Sequence, residues 1–183
     1  MDPIGGFDMV NDDINVVNSR PSQYKQNKLI GKRWILAVTD YKIHRDASKA
    51  GTVGEFPGID PKQAAPYWYQ NDQVWTPREV WAVDCTPPSE HPYGKKVMYV
   101  DVKVPTIYLG EVFDKKGEFW RDIEFFYGVK VGQTTGIKYI APLAGQFLDF
   151  KAKHVTQYVS PGAADRKGIE WSKYTPDALE GMQ

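Results

Sequence analysis

The pattern that most limits the fold is a series of seven short segments rich in β-branched and aromatic residues, each bounded by turn residues. Such segments predict strands, and the short connections containing Pro and Gly favour antiparallel pairing of neighbours in sequence. We therefore expect a mainly β protein built as an antiparallel meander, its first segment forming one long or two short strands. The predicted strands cover residues 29–43, 74–85, 95–101, 106–114, 118–129, 136–142 and 146–159.

The remaining segments predict long irregular loops and one short helix within a single β-rich domain, residues 1–183. Residues 1–28 are rich in Asn, Asp, Ser and Pro, and we expect an irregular lead-in draped over the surface. Residues 44–72 combine repeated Gly and Pro with no periodicity, which predicts a long loop or lid. Near the C-terminus Thr175 suits an N-cap and Pro176 a first helical position, which predicts a short C-terminal helix.

The stretch EVFDKKGEFW, residues 111–120, predicts a β-hairpin closed by a type I turn with Gly117 in the left-handed conformation. That turn would place Phe113 opposite Phe119, and Glu111 opposite Arg121 as a charge-matched cross-strand pair. The same register continues through the pairs Leu109 with Ile123 and Ile107 with Phe125. One face of the hairpin would then be almost wholly apolar.

Several predicted strands are apolar on both faces, such as KKVMYVD at 95–101. A covering layer of helices or a second sheet is the commoner explanation, and a sheet curved around a hydrophobic ligand is the alternative. The second explanation predicts an incompletely closed β-barrel or curved sheet with residues 44–72 as its lid. Its predicted ligand-lining residues are Trp81, Tyr99, Leu109, Phe113, Phe119, Ile123 and Phe125.

Charge and hydropathy exclude two classes of partner. Lys plus Arg and Asp plus Glu each number 23, so no basic excess is present to hold a nucleic acid. No apolar run approaches the roughly 20 residues that span a bilayer. The N-terminal stretch MDPIGGFDMVNDD has neither the basic nor the apolar region of a signal peptide.

Side chains capable of catalysis are scattered. His44, His91 and His154 lie in different segments, without metal-ligand spacing. No phosphate-binding, dinucleotide-binding or nucleophile-elbow motif is present. Asp122 and Glu124 share one face of a predicted strand, and we interpret them as carboxylates on a solvated face. The sequence therefore predicts no catalytic residue, no metal and no cofactor.

Several blocks of the sequence resemble the domain-of-unknown-function 1329 (DUF1329) family. The most specific is KKVMYVD at 95–101 followed by DKKGEFW at 114–120, and YTPDAL at 174–179 adds to the resemblance. Family members resemble periplasmic lipoprotein carriers, whose fold is an incompletely closed antiparallel β-barrel with helices across its concave, hydrophobic side. The resemblance implies that this chain is the C-terminal part of a larger family fold and that it works in the periplasm or cell envelope.

Three functions follow as hypotheses. The first is a non-catalytic periplasmic or outer-membrane-associated protein that binds or carries a lipid or other hydrophobic molecule, with a membrane exporter as a possible partner. The second is a structural or assembly module whose apolar face and sheet edge bind another protein chain. The third, an enzyme on a lipocalin-like barrel, would need one of the three histidines to meet a carboxylate.

Overall fold

The fold is seen in a computed structural model, which describes residues 21–41 and 73–159 together with residues 9, 10, 13, 165, 168, 170, 175 and 177. After a 3-10 turn at Pro21–Gln23, seven strands form one antiparallel sheet in which each strand pairs with the next. The sheet is a meander that does not close, because no pairing joins its first and last strands within the described residues. The strands are β1 (Gln26–Val38), β2 (Trp75–Thr86), β3 (Lys95–Asp101), β4 (Ile107–Phe113), β5 (Phe119–Val131), β6 (Lys138–Asp149) and β7 (His154–Val159).

The predicted meander is confirmed, but the break predicted between residues 142 and 146 is wrong. Pro142 lies inside β6, at a point where that strand pairs only with β5, and a strand with one unpaired side tolerates proline there. An extra residue, Leu143, is accommodated there as a bulge. The chain instead turns after Asp149, whose Oδ1 accepts the N–H groups of Lys151 and Ala152 at 3.0 and 2.8 Å.

Two predictions fall on residues that the structure does not describe. The 44–72 loop or lid lies outside the described residues altogether. The C-terminal helix lies largely outside them, and no α-helical element is present in residues 21–41 or 73–159. Both stay predictions.

The sheet curls so that the end of β1 contacts β4 and β5, which are not its neighbours in the sheet. Ala37 of β1 packs with Val80 and Tyr108, and the Tyr41 N–H donates to the Tyr127 carbonyl at 2.8 Å. The side of the sheet that carries Ala37 and Val80 is therefore concave, and we call it the inner face. The opposite side is the outer face.

The outer face carries the largest hydrophobic core, which includes Val112 and Ile123. Val10, from the N-terminal segment, packs into this core and is only 2% exposed. Burial of such a side chain contributes roughly 1.5–3 kcal/mol. The expectation that residues 1–28 merely lie over the surface is therefore wrong at Val10 and at Asp13, which is fully buried. It is also wrong at its C-terminal limit, because β1 begins at Gln26.

The hairpin of β4 and β5 confirms the turn and corrects the register. Gly117 has a φ of +84°, and Phe113 faces Phe119 as predicted. Trp120, however, is an extra residue in β5, so Arg121 faces Val112. The predicted pairing of Glu111 with Arg121 is wrong, since Glu111 faces Asp122.

Contacts of the Trp120 side chain on the outer face stabilise the bulge. Its ring packs edge-on against Tyr93, with 5.6 Å between ring centroids. Its indole N–H donates to Asp149 Oδ2 at 2.9 Å. Arg121 also donates its Nε–H to that carboxylate oxygen at 2.9 Å, and so binds a partner in β6 rather than one in β4. A sequence pattern cannot show this bulge, because its stabilising partner is 29 residues away.

Gly145 in β6 should not tolerate a side chain. A Cβ there would lie 2.5 Å from the Glu124 carbonyl oxygen and 2.5 Å from the Tyr158 ring. We expect Gly145→Ala to lower the free energy of unfolding by about 1–3 kcal/mol through overpacking. Gly110→Ala in β4 is the matched control, since its Cβ would meet Ile123 at an ordinary 3.7 Å. Urea unfolding of both variants checks this, and equal midpoints would contradict it.

Candidate functional site

The Trp120 bulge brings three acidic side chains together on the inner face. Glu111 of β4 faces Asp122 of β5, and Glu124 lies two residues further along β5, where it faces Gln146 of β6. We call Glu111, Asp122 and Glu124 the carboxyl row. All three side chains are half-buried. The interpretation of Asp122 and Glu124 as carboxylates on a solvated face is therefore wrong.

Polar partners extend the carboxyl row across five strands. Tyr99 Oη of β3 donates to Glu111 Oε2 at 2.8 Å. At the other end the Gln146 amide donates to Glu124, and the Gln157 amide donates to Gln146 Oε1 at 3.1 Å. The result is a polar ladder from β3 to β7 along the inner face.

Asp122 is the exception in this ladder. Its Oδ1 is buried and accepts no hydrogen bond from the part of the chain that the structure describes. Burial, followed by the charges of Glu124 and Glu111, raises the pKa of Asp122 to about 8. Burial likewise raises the pKa of Glu124 to about 7. Asp122 and Glu124 therefore hold protons near neutral pH, and a protonated carboxyl can donate a hydrogen bond as well as accept one.

Apolar side chains flank the carboxyl row and remain partly open to solvent. Leu109 lies beside it on β4, Ile35 lies across the curl on β1, and Val155 lies on β7 beyond Leu148. Each of Leu109, Ile35 and Val155 is half-buried. The inner face thus combines hydrophobic contact surface with a small set of polar groups, which is the composition of a small-molecule site.

The structure does not bring the seven predicted lining residues together. Tyr99 and Leu109 lie on the inner face. Ile123 and Phe125 are buried in the core of the outer face, because the bulge shifts β5 by one residue relative to β4. Trp81 lies on the outer face of β2, where the Lys32 ammonium sits 5.0 Å from its ring centroid.

The remaining two predicted lining residues pack next to the hairpin turn. Phe113 and Phe119 contact each other edge-on, with 5.7 Å between ring centroids. Phe119 also contacts Phe150 and is 41% exposed. This aromatic cluster covers the end of the hairpin and adds nothing to the carboxyl row.

A second polar cluster lies buried on the outer side. Lys96 Nζ lies 3.1 Å from Asp13 Oδ1, and the Tyr93 hydroxyl donates to the same aspartate. Arg121 donates to the Tyr93 hydroxyl at 3.0 Å and is paired with Asp149. The cluster contains two cations and two carboxylates, each less than 10% exposed. Every member of the cluster has a partner. The contacts of Asp13 with Lys96 and Tyr93 attach the N-terminal segment to the sheet.

The two described histidines, His91 and His154, do not approach the carboxyl row. His91 is buried with its ring 4.9 Å from that of Tyr93, and His154 is exposed and faces Asp149. His44 lies outside the described residues. Within those residues no group of three or more His, Cys, Asp or Glu side chains could hold a metal ion. Nor does any helix there have the length and apolar character to span a membrane.

Comparison with known proteins gives a family match over nearly the whole chain. The family described as "Protein of unknown function (DUF1329)" matches residues 1–180. No curated protein matches significantly.

Two solved structures are similar in part. One is a domain from Vibrio parahaemolyticus provisionally named as an outer membrane lipoprotein-sorting protein domain, at 14% identity and a TM-score of 0.43, covering 67% of this chain and 57% of that one. The other is a DUF1329 family protein from Desulfovibrio piger, at 16% identity and a TM-score of 0.39, covering 56% of this chain and 41% of that one. The match thus spans little more than half the length of the first protein and less than half of the second.

Proposed function

Since the chain belongs to the DUF1329 family, whose members are of unknown function, we propose its function from the geometry of the inner face. This face binds a hydrophobic molecule with one polar end, such as a lipid, and the protein is a non-catalytic carrier. The observation that carries the proposal is a carboxyl row flanked by half-exposed apolar side chains on the concave side of an open sheet.

Each part of the inner face has a role in binding. Contact with Leu109, Ile35 and Val155 would desolvate a chain or ring of the ligand, at about 25 cal/mol for each Å² of apolar surface buried. Asp122, whose buried Oδ1 accepts no hydrogen bond from the described residues, would accept one from a hydroxyl or amine of the ligand. The polar end would thus be fixed at the carboxyl row.

The location in the cell is part of the same proposal. The family resemblance implies the periplasm or cell envelope, where a carrier would move a hydrophobic molecule between membranes. A membrane exporter that supplies the ligand is the corresponding protein partner.

Native mass spectrometry of gently purified protein, followed by organic extraction, should detect a bound lipid. A fluorescent fatty-acid probe should bind the purified chain, and each of Leu109→Asp and Val155→Asp should weaken binding about 10-fold by placing a charge in the apolar part of the site. Ile137→Asp is the control, because Ile137 is 65% exposed in the turn between β5 and β6. Equal probe affinity in all three variants, with urea midpoints confirming that they fold, would contradict the proposal.

An assembly module is the second candidate, and the edge of β1 away from β2, which pairs with no other described strand, favours it. In that case the sheet edge would pair with a strand of another chain. Light scattering separates the two candidates. A monomer with bound lipid supports the carrier, and an oligomer without lipid supports the module.

A further inference from the structure

The carboxyl row differs from the buried aspartates elsewhere in the part of the chain that the structure describes, because each of those has a cation within 3.1 Å. The pairs are Asp13 with Lys96, Asp101 with Arg78 and Asp149 with Arg121. None of the ion pairs formed by the described residues involves Glu111, Asp122 or Glu124. An ionised carboxylate removed from water needs a partner, so protons are what neutralise this row.

The side chains that face the row supply hydrogen bonds and apolar contact but no positive charge. Tyr99 of β3 donates to Glu111, and burial raises the pKa of Tyr99, so its hydroxyl stays a neutral donor. On β6 and β7 the facing side chains are Gln146, Leu148, Val155 and Gln157. None of these four side chains titrates.

Strands β1 and β3 contribute cations to the inner face, but these act on other groups. Lys95 of β3 pairs with Asp84 at 3.5 Å, and Lys28 of β1 also faces Asp84. The positive charge of Arg33 on β1 acts on the Tyr99 hydroxyl. Ionisation of the row is therefore not compensated by an ion pair within the described residues.

A ligand on the inner face would cover the row. Leu109 faces Glu124, and Asp122 faces Leu148, which in turn faces Val155. An apolar chain in contact with Leu109 and Val155 would therefore lie over both carboxyls and remove the water that these half-buried groups still contact. Without that water the ionised form is strongly destabilised, whereas a protonated carboxyl with hydrogen bonds is tolerated.

We propose that the inner face binds an uncharged amphiphile, with a hydroxyl as its polar end, while Asp122 and Glu124 are protonated, and releases it when they ionise. The inference rests on the proposed function and specifies the ligand class and the means of release. Asp122 Oδ1 accepts from the ligand hydroxyl, and the proton on the other carboxyl oxygen is available to donate to it. The Gln146 amide holds Glu124 in place. Binding thus takes up protons, and a rise in pH hydrates the row and expels the ligand.

Titration of the full chain with a pyrene-labelled long-chain alcohol, which carries no titratable group, tests this inference. Because the pKa of Asp122 is about 8 and that of Glu124 about 7, affinity should fall about 10-fold or more from about pH 6 to about pH 8.5. The double variant D122N/E124Q should change by less than about twofold over this range, and each single variant should show a smaller decline than the parent. Calorimetry near pH 7.5 in two buffers of different ionisation enthalpy should show uptake of about one proton by the parent and none by the double variant.

Controls separate this inference from the proposed function. Glu118→Gln removes an exposed carboxyl of the β4–β5 turn and should keep the parent's pH profile, and circular dichroism at each pH confirms that the variants fold. Equal affinity for the alcohol at every pH overturns the inference and leaves the proposed function standing. An alkylamine of the same length that binds more tightly than the alcohol, and more tightly as pH rises, also overturns it, since the row would then bind a cation. Absence of binding at any pH overturns both.

Discussion

Replacing Asp13 by alanine should lower the free energy of unfolding by about 3–5 kcal/mol, which is the usual cost of breaking a buried ion pair by removing one partner. The substitution leaves the Lys96 ammonium, which is 1% exposed, without its carboxylate. It also removes the acceptor for the Tyr93 hydroxyl and for the Val10 N–H. Urea unfolding followed by tryptophan fluorescence measures the effect.

The control is an ion pair of the same kind at the surface. Lys95 and Asp84 lie 3.5 Å apart on neighbouring strands with side chains 42% and 29% exposed. Asp84→Ala should therefore cost less than about 1 kcal/mol. A double variant, Asp13→Leu with Lys96→Met, should recover much of the loss, because the buried charge disappears with its partner. If Asp13→Ala lowered the free energy of unfolding no more than Asp84→Ala does, the ion pair of Asp13 with Lys96 would not anchor the N-terminal segment.

The second large effect is a loss of stability as pH rises through the neutral range. The pKa of Asp122 is raised to about 8 in the folded chain, and its unfolded value lies near 4. The folded state therefore binds this proton more tightly than the unfolded state. The stabilisation is fully present below about pH 4 and is lost as pH rises through about 8. Together with Glu124, whose pKa is raised to about 7, we expect a decline of about 2–4 kcal/mol, because solvent screens part of the interaction.

Asp122→Asn isolates this effect. Asparagine resembles the protonated carboxyl, so the variant should match the parent near pH 4 and exceed its stability by about 2 kcal/mol near pH 9. Glu118→Gln, an exposed carboxyl in the β4–β5 turn, should leave the slope unchanged. Urea midpoints between pH 4 and 9 give the result. A parent and an Asp122→Asn variant with parallel profiles would show that Asp122 is already ionised at pH 7.

Strand order and turn chemistry were predictable because both are local in sequence. Gly117 closes its turn as the DKKG stretch predicts, and every strand pairs with its neighbour in the chain. The candidate site was not predictable, since it depends on a bulge at Trp120. That bulge is stabilised by Asp149 and by Tyr93, which the hairpin sequence does not contain. One extra residue exchanged the faces of β5 and placed Ile123 in a core and Asp122 in the concavity.

The burial of Asp13 could not be predicted from the sequence either. An Asp next to another Asp in a polar segment is typical of a solvated turn, and its partner Lys96 lies 83 residues further on. Lys96, which alternates with the apolar Met98 and Val100 along the strand KKVMYVD, was the available signal. A buried cation requires a counter-ion, so that lysine indicated a missing carboxylate without identifying it.

The meander topology also has a consequence for the order of folding. Pairings between adjacent strands from β2 to β7 each close a short loop, so this part of the sheet can assemble hairpin by hairpin at a small entropic cost. β1 must close a loop of more than 30 residues to meet β2, and Asp13 must reach Lys96 across a longer one. We therefore expect β1 and the N-terminal segment to join last, on a sheet whose outer core already exists. In early intermediates Lys96 would then have no carboxylate partner, because Asp13 has not yet joined the sheet.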